Sequence, residues 1–90
     1  MPKPIGADKT RHAHTLGEAV GAEITRLRVS HGWSQAKLAD VLGYDERYLR
    51  DIERGLKSPT LKTLSNVAHS FGIALSVLLA RAERRLRLSK

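Results

Sequence analysis

Apolar residues recur along the chain at the three- and four-residue spacing of helices packed on one side. Leu16, Val20, Ile24 and Leu27 share a face, predicting a helix from about Leu16 to His31 that Gly32 ends and that Gly17 and Gly21 weaken in its first turns. Leu38, Val41 and Leu42 mark a second helix, and Leu49 and Ile52 a third, from about Glu46 to Arg54. Ser34 and Asp45 stand where a side-chain oxygen can cap each of them, and Gly43 can take the left-handed conformation that ends a helix at a tight corner. Leu61, Leu64, Val67, Ala68 and Phe71 predict a fourth helix from about Pro59 to Ser70, with Ser58 as cap and Pro59 in its first turn. A stripe of Leu75, Leu78, Leu79, Ala82 and Leu86 opens near Ala74, which has no capping oxygen. That stripe is longer than one small core needs, so Leu75, Leu78, Leu79 and Ala82 are expected to form a dimer seam, with fraying beyond Arg85.

Ninety residues, 41% of them hydrophobic, suffice for one small core, and four aromatics make that core aliphatic. The absence of cysteine excludes disulfides and thiolate metal sites and fits a reducing, cytoplasmic interior. No apolar run approaches the ~20 residues of a membrane span, and no signal-peptide segment opens the chain. Residues 1–15, with Pro2, Pro4 and Gly6, read as a flexible basic arm whose Lys9 and Arg11 suit phosphates or a minor groove. His12 and His14 lack carboxylate or thiol company, so they are read as exposed tail; no metal or other cofactor is expected. The chain also lacks a nucleophile–base–orienter set, a phosphate-cradling glycine loop and clustered carboxylates, which argues against an enzyme.

Charge changes this picture mainly through its placement. Of a formal net +7, residues 1–15 hold +2 and the basic extension 81–90 holds +4, so the middle segment, 16–80, holds only +1. Within that middle, the third helix separates its residues by face. Tyr48, Leu49 and Ile52 cluster on one side, while Arg47, Arg50 and Arg54 share the other, flanked by Glu46 and Asp51. Such a face is either solvated, with Arg47–Asp51 and Asp51–Arg54 pairs along the helix, or made for a major groove, where Arg forks onto guanine and Glu accepts from cytosine. Trp33, just before a helix cap, is expected to cover the edge of the core.

The run Arg28-x-x-x-Gly32-Trp33-Ser34-Gln35-x-x-Leu38-Ala39, then Leu42-Gly43, Tyr48-Leu49-x-x-Ile52-Glu53-Arg54-Gly55, Pro59-Thr60-Leu61 and Ala68-x-x-Phe71-Gly72-Ile73, resembles the Xre/Cro/C1 helix-turn-helix regulators. The Arg47-Tyr48-Leu49-x-x-Ile52-Glu53-Arg54-Gly55 portion is similar to their controller-protein members. The resemblance implies an all-α, five-helix, lambda-repressor-like DNA-binding domain over 16–80. It further implies base contacts from Glu46, Arg47, Arg50 and Asp51, phosphate contacts from Gln35, Lys37, Arg54 and Lys57, and a tie between Arg28 and Glu53. Thr25 departs from the arginine often found there, and Asp51 from the basic or amide residues usual at its position. The function so implied is a transcriptional repressor or autoregulator that binds double-stranded, pseudo-palindromic operator DNA as a homodimer. An antitoxin or protein-interaction module reusing the fold is the alternative.

Overall fold

In a computed structural model of the chain, residues 15–88 are described, with side chains as far as residue 86; the arm at 1–14 and the extension's last residues lie outside them. Five helices and no strand occupy the described residues: α1 (Leu16–Ser30), α2 (Gln35–Leu42), α3 (Glu46–Glu53), α4 (Leu61–Ser70) and α5 (Leu75–Leu88). Four starts are made by hydroxyl or carboxylate caps: Thr15 accepts from Glu18 N–H, Ser34 from Lys37, Asp45 from Arg47 and Thr60 from Thr63. Each cap contributes ~1 kcal/mol by occupying an amide the helix leaves unbonded. At Ala74 only the backbone serves, its carbonyl accepting from Val77 and Leu78 N–H.

Ala19, Val20, Ile24 and Leu27 of α1 lie at the centre of the core with Leu38, Leu49, Ile52, Val67 and Leu78, all essentially shielded from water. α1 packs on both α3 and α5, while α2 packs on α3 and α4. Gly21 allows the first of these crossings. A Cβ there would fall on the carbonyl oxygens of Ile52 and Glu53, so the missing side chain is what lets α1 lie against the end of α3. Gly55, at φ +76°, lies close to Glu18, whose Cγ a Cβ there would meet at 2.7 Å. At the other end, Trp33 and Phe71 stack with ring centres 5.5 Å apart, and His31 tilts against both. Trp33 thus covers a core edge, as its sequence position suggests.

Several sequence expectations are corrected. Thr60, not Ser58, caps α4, so Pro59 precedes the helix and Leu61 becomes its outward-facing first residue, 71% exposed. Val41 and Leu16 are also exposed: Val41 lies in a groove with His69 and Ser70, and Leu16 at the open start of α1 beside Pro59 and Leu79. Leu78 and Ala82, expected in a dimer seam, are completely buried within the protomer as part of its own core. α5 does not stop at Arg85; it is helical to Leu88, and Leu86 packs partly against the core. The surplus length of the α5 stripe is therefore mostly used to cover α1.

Candidate nucleic-acid interface

The turn between α2 and α3 is made by three local devices. Gly43 caps α2 at φ 74°, Tyr44 N–H donates to Ala39 C=O at 2.9 Å, and Asp45 Oδ1 then accepts the Arg47 N–H in the first turn of α3. Tyr44 is further held by Asn66 Nδ2, which donates to its hydroxyl at 2.9 Å, and it meets Tyr48 edge-on at 5.8 Å. The Tyr48 hydroxyl lies 3.4 Å from Thr63 Oγ1 on α4. These polar links fix the inner side of α3 to α4 while Leu49 and Ile52 fix it to the apolar core.

The end of α3 is held more firmly. Arg28 Nε and Nη2 donate to the two Glu53 carboxylate oxygens at 2.8 and 3.1 Å, and Arg28 Nη1 donates to the Trp33 carbonyl at 2.9 Å. Gln35 Nε2 adds a fourth bond, to Glu53 Oε1 at 2.9 Å. Glu53 keeps only 4% of its side chain exposed, so a forked, charge-assisted pair ties α1, α2 and α3 together. The tie between Arg28 and Glu53 implied by the family resemblance is present. Gln35 has an additional use that the sequence did not reveal: its side chain is spent on Glu53, which leaves the exposed first turn of α2 to offer backbone amides.

Against that fixed inner side, the outer side of α3 is open. Glu46, Arg47 and Arg54 are exposed and Arg50 and Asp51 half-exposed, with Lys37 and Lys57 exposed on the flanking elements. Asp45, Arg47, Tyr48, Asp51 and Lys57 line one groove of about 180 Å³, which brings two of the candidate base contacts beside a candidate phosphate contact. Among the described residues no ion pair joins Asp51 to Arg47 or Arg54. The intrahelical pairing that would make this an ordinary solvated face is absent, and Arg47 and Arg50 keep their forks available for an external acceptor.

A second charged cluster escaped the sequence reading. Glu23, with 3% of its side chain exposed, accepts from Arg26 Nη2 at 2.8 Å and from Arg85 Nε at 3.0 Å, with Arg81 Nη1 3.7 Å away. Burial pushes the Glu23 pKa up, but hydrogen bonds and charge from Arg26 and Arg85 outweigh it and hold the group below the usual carboxylate value. A signal was available in the sequence: Glu23 interrupts the inner stripe of α1, and Arg81 and Arg85 stand one helical turn apart, the spacing that lets two side chains reach one acceptor.

Comparison with known proteins gives this geometry a context. The helix-turn-helix family HTH_3 matches residues 24–78. An uncharacterized HTH-type transcriptional regulator, y4dJ, of Sinorhizobium fredii is 34% identical over 59 residues, covering 66% of this chain and 77% of that one. The restriction-modification controller protein C.AhdI from Aeromonas hydrophila superposes with a TM-score of 0.65 at 30% identity, covering 68% of this chain and 92% of that one. The biofilm regulator SinR, solved in complex with DNA, superposes with a TM-score of 0.63 at 31% identity, covering 67% and 97%.

Proposed function

Because the chain belongs to the helix-turn-helix family of DNA-binding transcriptional regulators, we propose that it is a cytoplasmic, sequence-specific repressor or autoregulator. On this reading it binds a pseudo-palindromic operator as a homodimer, with one α3 in each of two successive major grooves. The observation that carries this reading is the division of α3 into a clamped inner side and an unpaired outer side bearing Arg47 and Arg50. The DNA complex of SinR supports a nucleic-acid ligand for the same two-helix unit.

Glu46, Arg47, Arg50 and Asp51 are assigned to base edges. Arg forks onto guanine O6 and N7, and a carboxylate accepts from cytosine N4. Lys37, Arg54 and Lys57 flank them and are assigned to phosphates, joined by the backbone amides at the start of α2 beside Gln35. With Leu78 and Ala82 inside the protomer, the seam is narrowed to half-buried Leu75 and Leu79 on α5. Pairing two copies would set the recognition helices ~34 Å apart, one turn of DNA.

Selecting random duplexes on the purified protein tests the main claim: an enriched sequence with two inverted half-sites is expected, and enrichment of no sequence would remove it. Leu79→Glu, which adds a charge at the proposed seam, is expected to give helical monomers in sedimentation that hold a half-site weakly. A wild-type protein that is monomeric at tens of micromolar, with and without operator, would remove the dimer alone.

A further inference from the structure

The side of α1 that faces α3 is defined by Gly21 and Arg28. At about 100° per residue, Glu23 and Arg26 lie about 200° and 140° around the helix from Gly21, turned away from α3 and toward α5. There Glu23, Arg26, Arg81, Arg84 and Arg85 line an open groove of about 370 Å³. Its charge is unbalanced, since four guanidiniums surround one carboxylate.

That carboxylate is already occupied. Oε2 accepts both Nη2 and Nε of Arg26, at 2.8 and 3.2 Å, and Oε1 accepts Nε of Arg85 at 3.0 Å. Arg81 Nη1 stands 3.7 Å from Oε2, an ion pair too long for a hydrogen bond. Arg84 lines the same groove, where no second acid stands among the described residues. Among the described residues, guanidiniums therefore outnumber carboxylates four to one on a face that the α3 reading does not use. Clustered guanidiniums repel one another, and their planar forks match the oxygens of a phosphate. A single carboxylate would leave most of the surplus uncompensated, whereas a multiply charged oxyanion would neutralise it.

We propose that the α1–α5 groove is a second anion site, separate from the α3 face, which takes a small phosphate-bearing ligand between Arg26, Arg81, Arg84 and Arg85. A ligand seated there bridges two helices and stabilises α5 on α1, so binding raises the melting temperature by mass action.

The test is a calorimetric titration of the full chain with inorganic pyrophosphate, at an ionic strength held constant with sodium chloride, alongside thermal melts. Saturable binding and a higher melting temperature are expected. Arg81→Gln/Arg84→Gln leaves the Arg26–Glu23–Arg85 clasp in place and should weaken binding at least tenfold with circular dichroism unchanged; Arg84→Gln alone, at an exposed position, serves if the double variant does not fold. Arg47→Ala/Lys57→Ala should bind pyrophosphate as the wild type does. Orthophosphate and ADP form parallel arms: tighter binding of ADP than of pyrophosphate assigns the phosphate to a nucleotide, and the reverse to a free inorganic anion. The proposal is overturned by any of four results. These are no saturation beyond the salt control, equal affinity in the α5 variants, loss of affinity in the Arg47/Lys57 variant, or binding of polyglutamate without binding of pyrophosphate. None depends on whether the protein selects an operator, so this site and the DNA reading stand or fall separately.

Discussion

On α3 the guanidiniums of Arg47, Arg50 and Arg54 stand away from the core with no acid drawn in beneath them, whereas Arg26, Arg81 and Arg85 converge on the buried carboxylate of Glu23. Both regions hold arginines on short amphipathic helices, yet the physical consequences differ. On the α3 side the scaffold is fixed by other residues, the Arg28–Glu53–Gln35 knot and the Leu49–Ile52 pair, so the outward arginines contribute little to folding. On the α1–α5 side the arginines are part of the scaffold, because removing their carboxylate leaves like charges crowded over a helix contact. The arginines assigned to DNA and those gathered over Glu23 are thus separated by α1, and substitutions can address each.

The largest effect is expected where α1 meets α3. Gly21→Ala places a methyl on the Ile52 and Glu53 carbonyls and should cost ~3 kcal/mol or more, since backbone cannot move aside as a side chain can. Gly17→Ala, four residues earlier on the same helix, meets nothing nearer than Thr15 Oγ1 at 3.8 Å and should instead stabilise by ~0.5–1 kcal/mol. Urea melts of the two variants should diverge in opposite directions from wild type; similar melts would mean that the α1–α3 approach is looser than described.

Next in size is Glu23→Gln, expected to cost ~2 kcal/mol because its arginines remain partly solvated when the charge is lost. Its pH signature separates it from ordinary surface acids. The folded pKa of Glu23 is lowered, so its contribution is complete above the ordinary carboxylate range and is lost as pH falls through the folded value. Wild type and Glu23→Gln should therefore differ most near neutrality and converge in acid, while Glu46→Ala should lie within ~0.5 kcal/mol of wild type at either pH. A gap that stays constant into strong acid would show that Glu23 acts by shape and not by charge.

The five helices, the Ser34 and Asp45 caps and the inner side of α3 could be read from the sequence because each rests on local signals: apolar period, a capping oxygen, a glycine at a corner. Errors arose where a local signal met a choice that only packing decides. Ser58 and Thr60 both offer a hydroxyl before α4, and the use of Thr60 turns Leu61 outward. The α5 stripe was legible as apolar, but whether Leu78 and Ala82 face a second copy or the protomer's own core depends on how α5 packs on α1, which no local signal in α5 carries. Similarly, counting 81–90 as a free basic extension overlooked Glu23, 58 residues before Arg81 in the chain, because contact between distant charges has no local trace.

A smaller effect, confined to binding, is expected at Arg47. Arg47→Ala should leave the melt within ~0.5 kcal/mol of wild type yet weaken operator binding by ~1–3 kcal/mol and relax preference at one or two base pairs. Competition binding on a panel of single-base operator variants reads this directly. If affinity fell equally on operator and random duplex, Arg47 would belong with the phosphate contacts and the base-reading role would pass to Arg50.

The smallest effect distinguishes position from charge on the α3 side. Lys57 shares the groove of Arg47 and Asp51 but sits on the loop after α3, and the proposed function assigns it to a phosphate. Each neutralised phosphate releases about 0.9 of a counterion, so Lys57→Ala should flatten the slope of log affinity against log salt by about one unit, with the same loss on every duplex. Arg84→Gln removes one positive charge as well, but from the α1–α5 groove, and should leave that slope unchanged if only the α3 side meets DNA. Equal flattening by both substitutions would mean that affinity responds to total charge alone, and the separation of the two faces by α1 would then have no bearing on DNA binding.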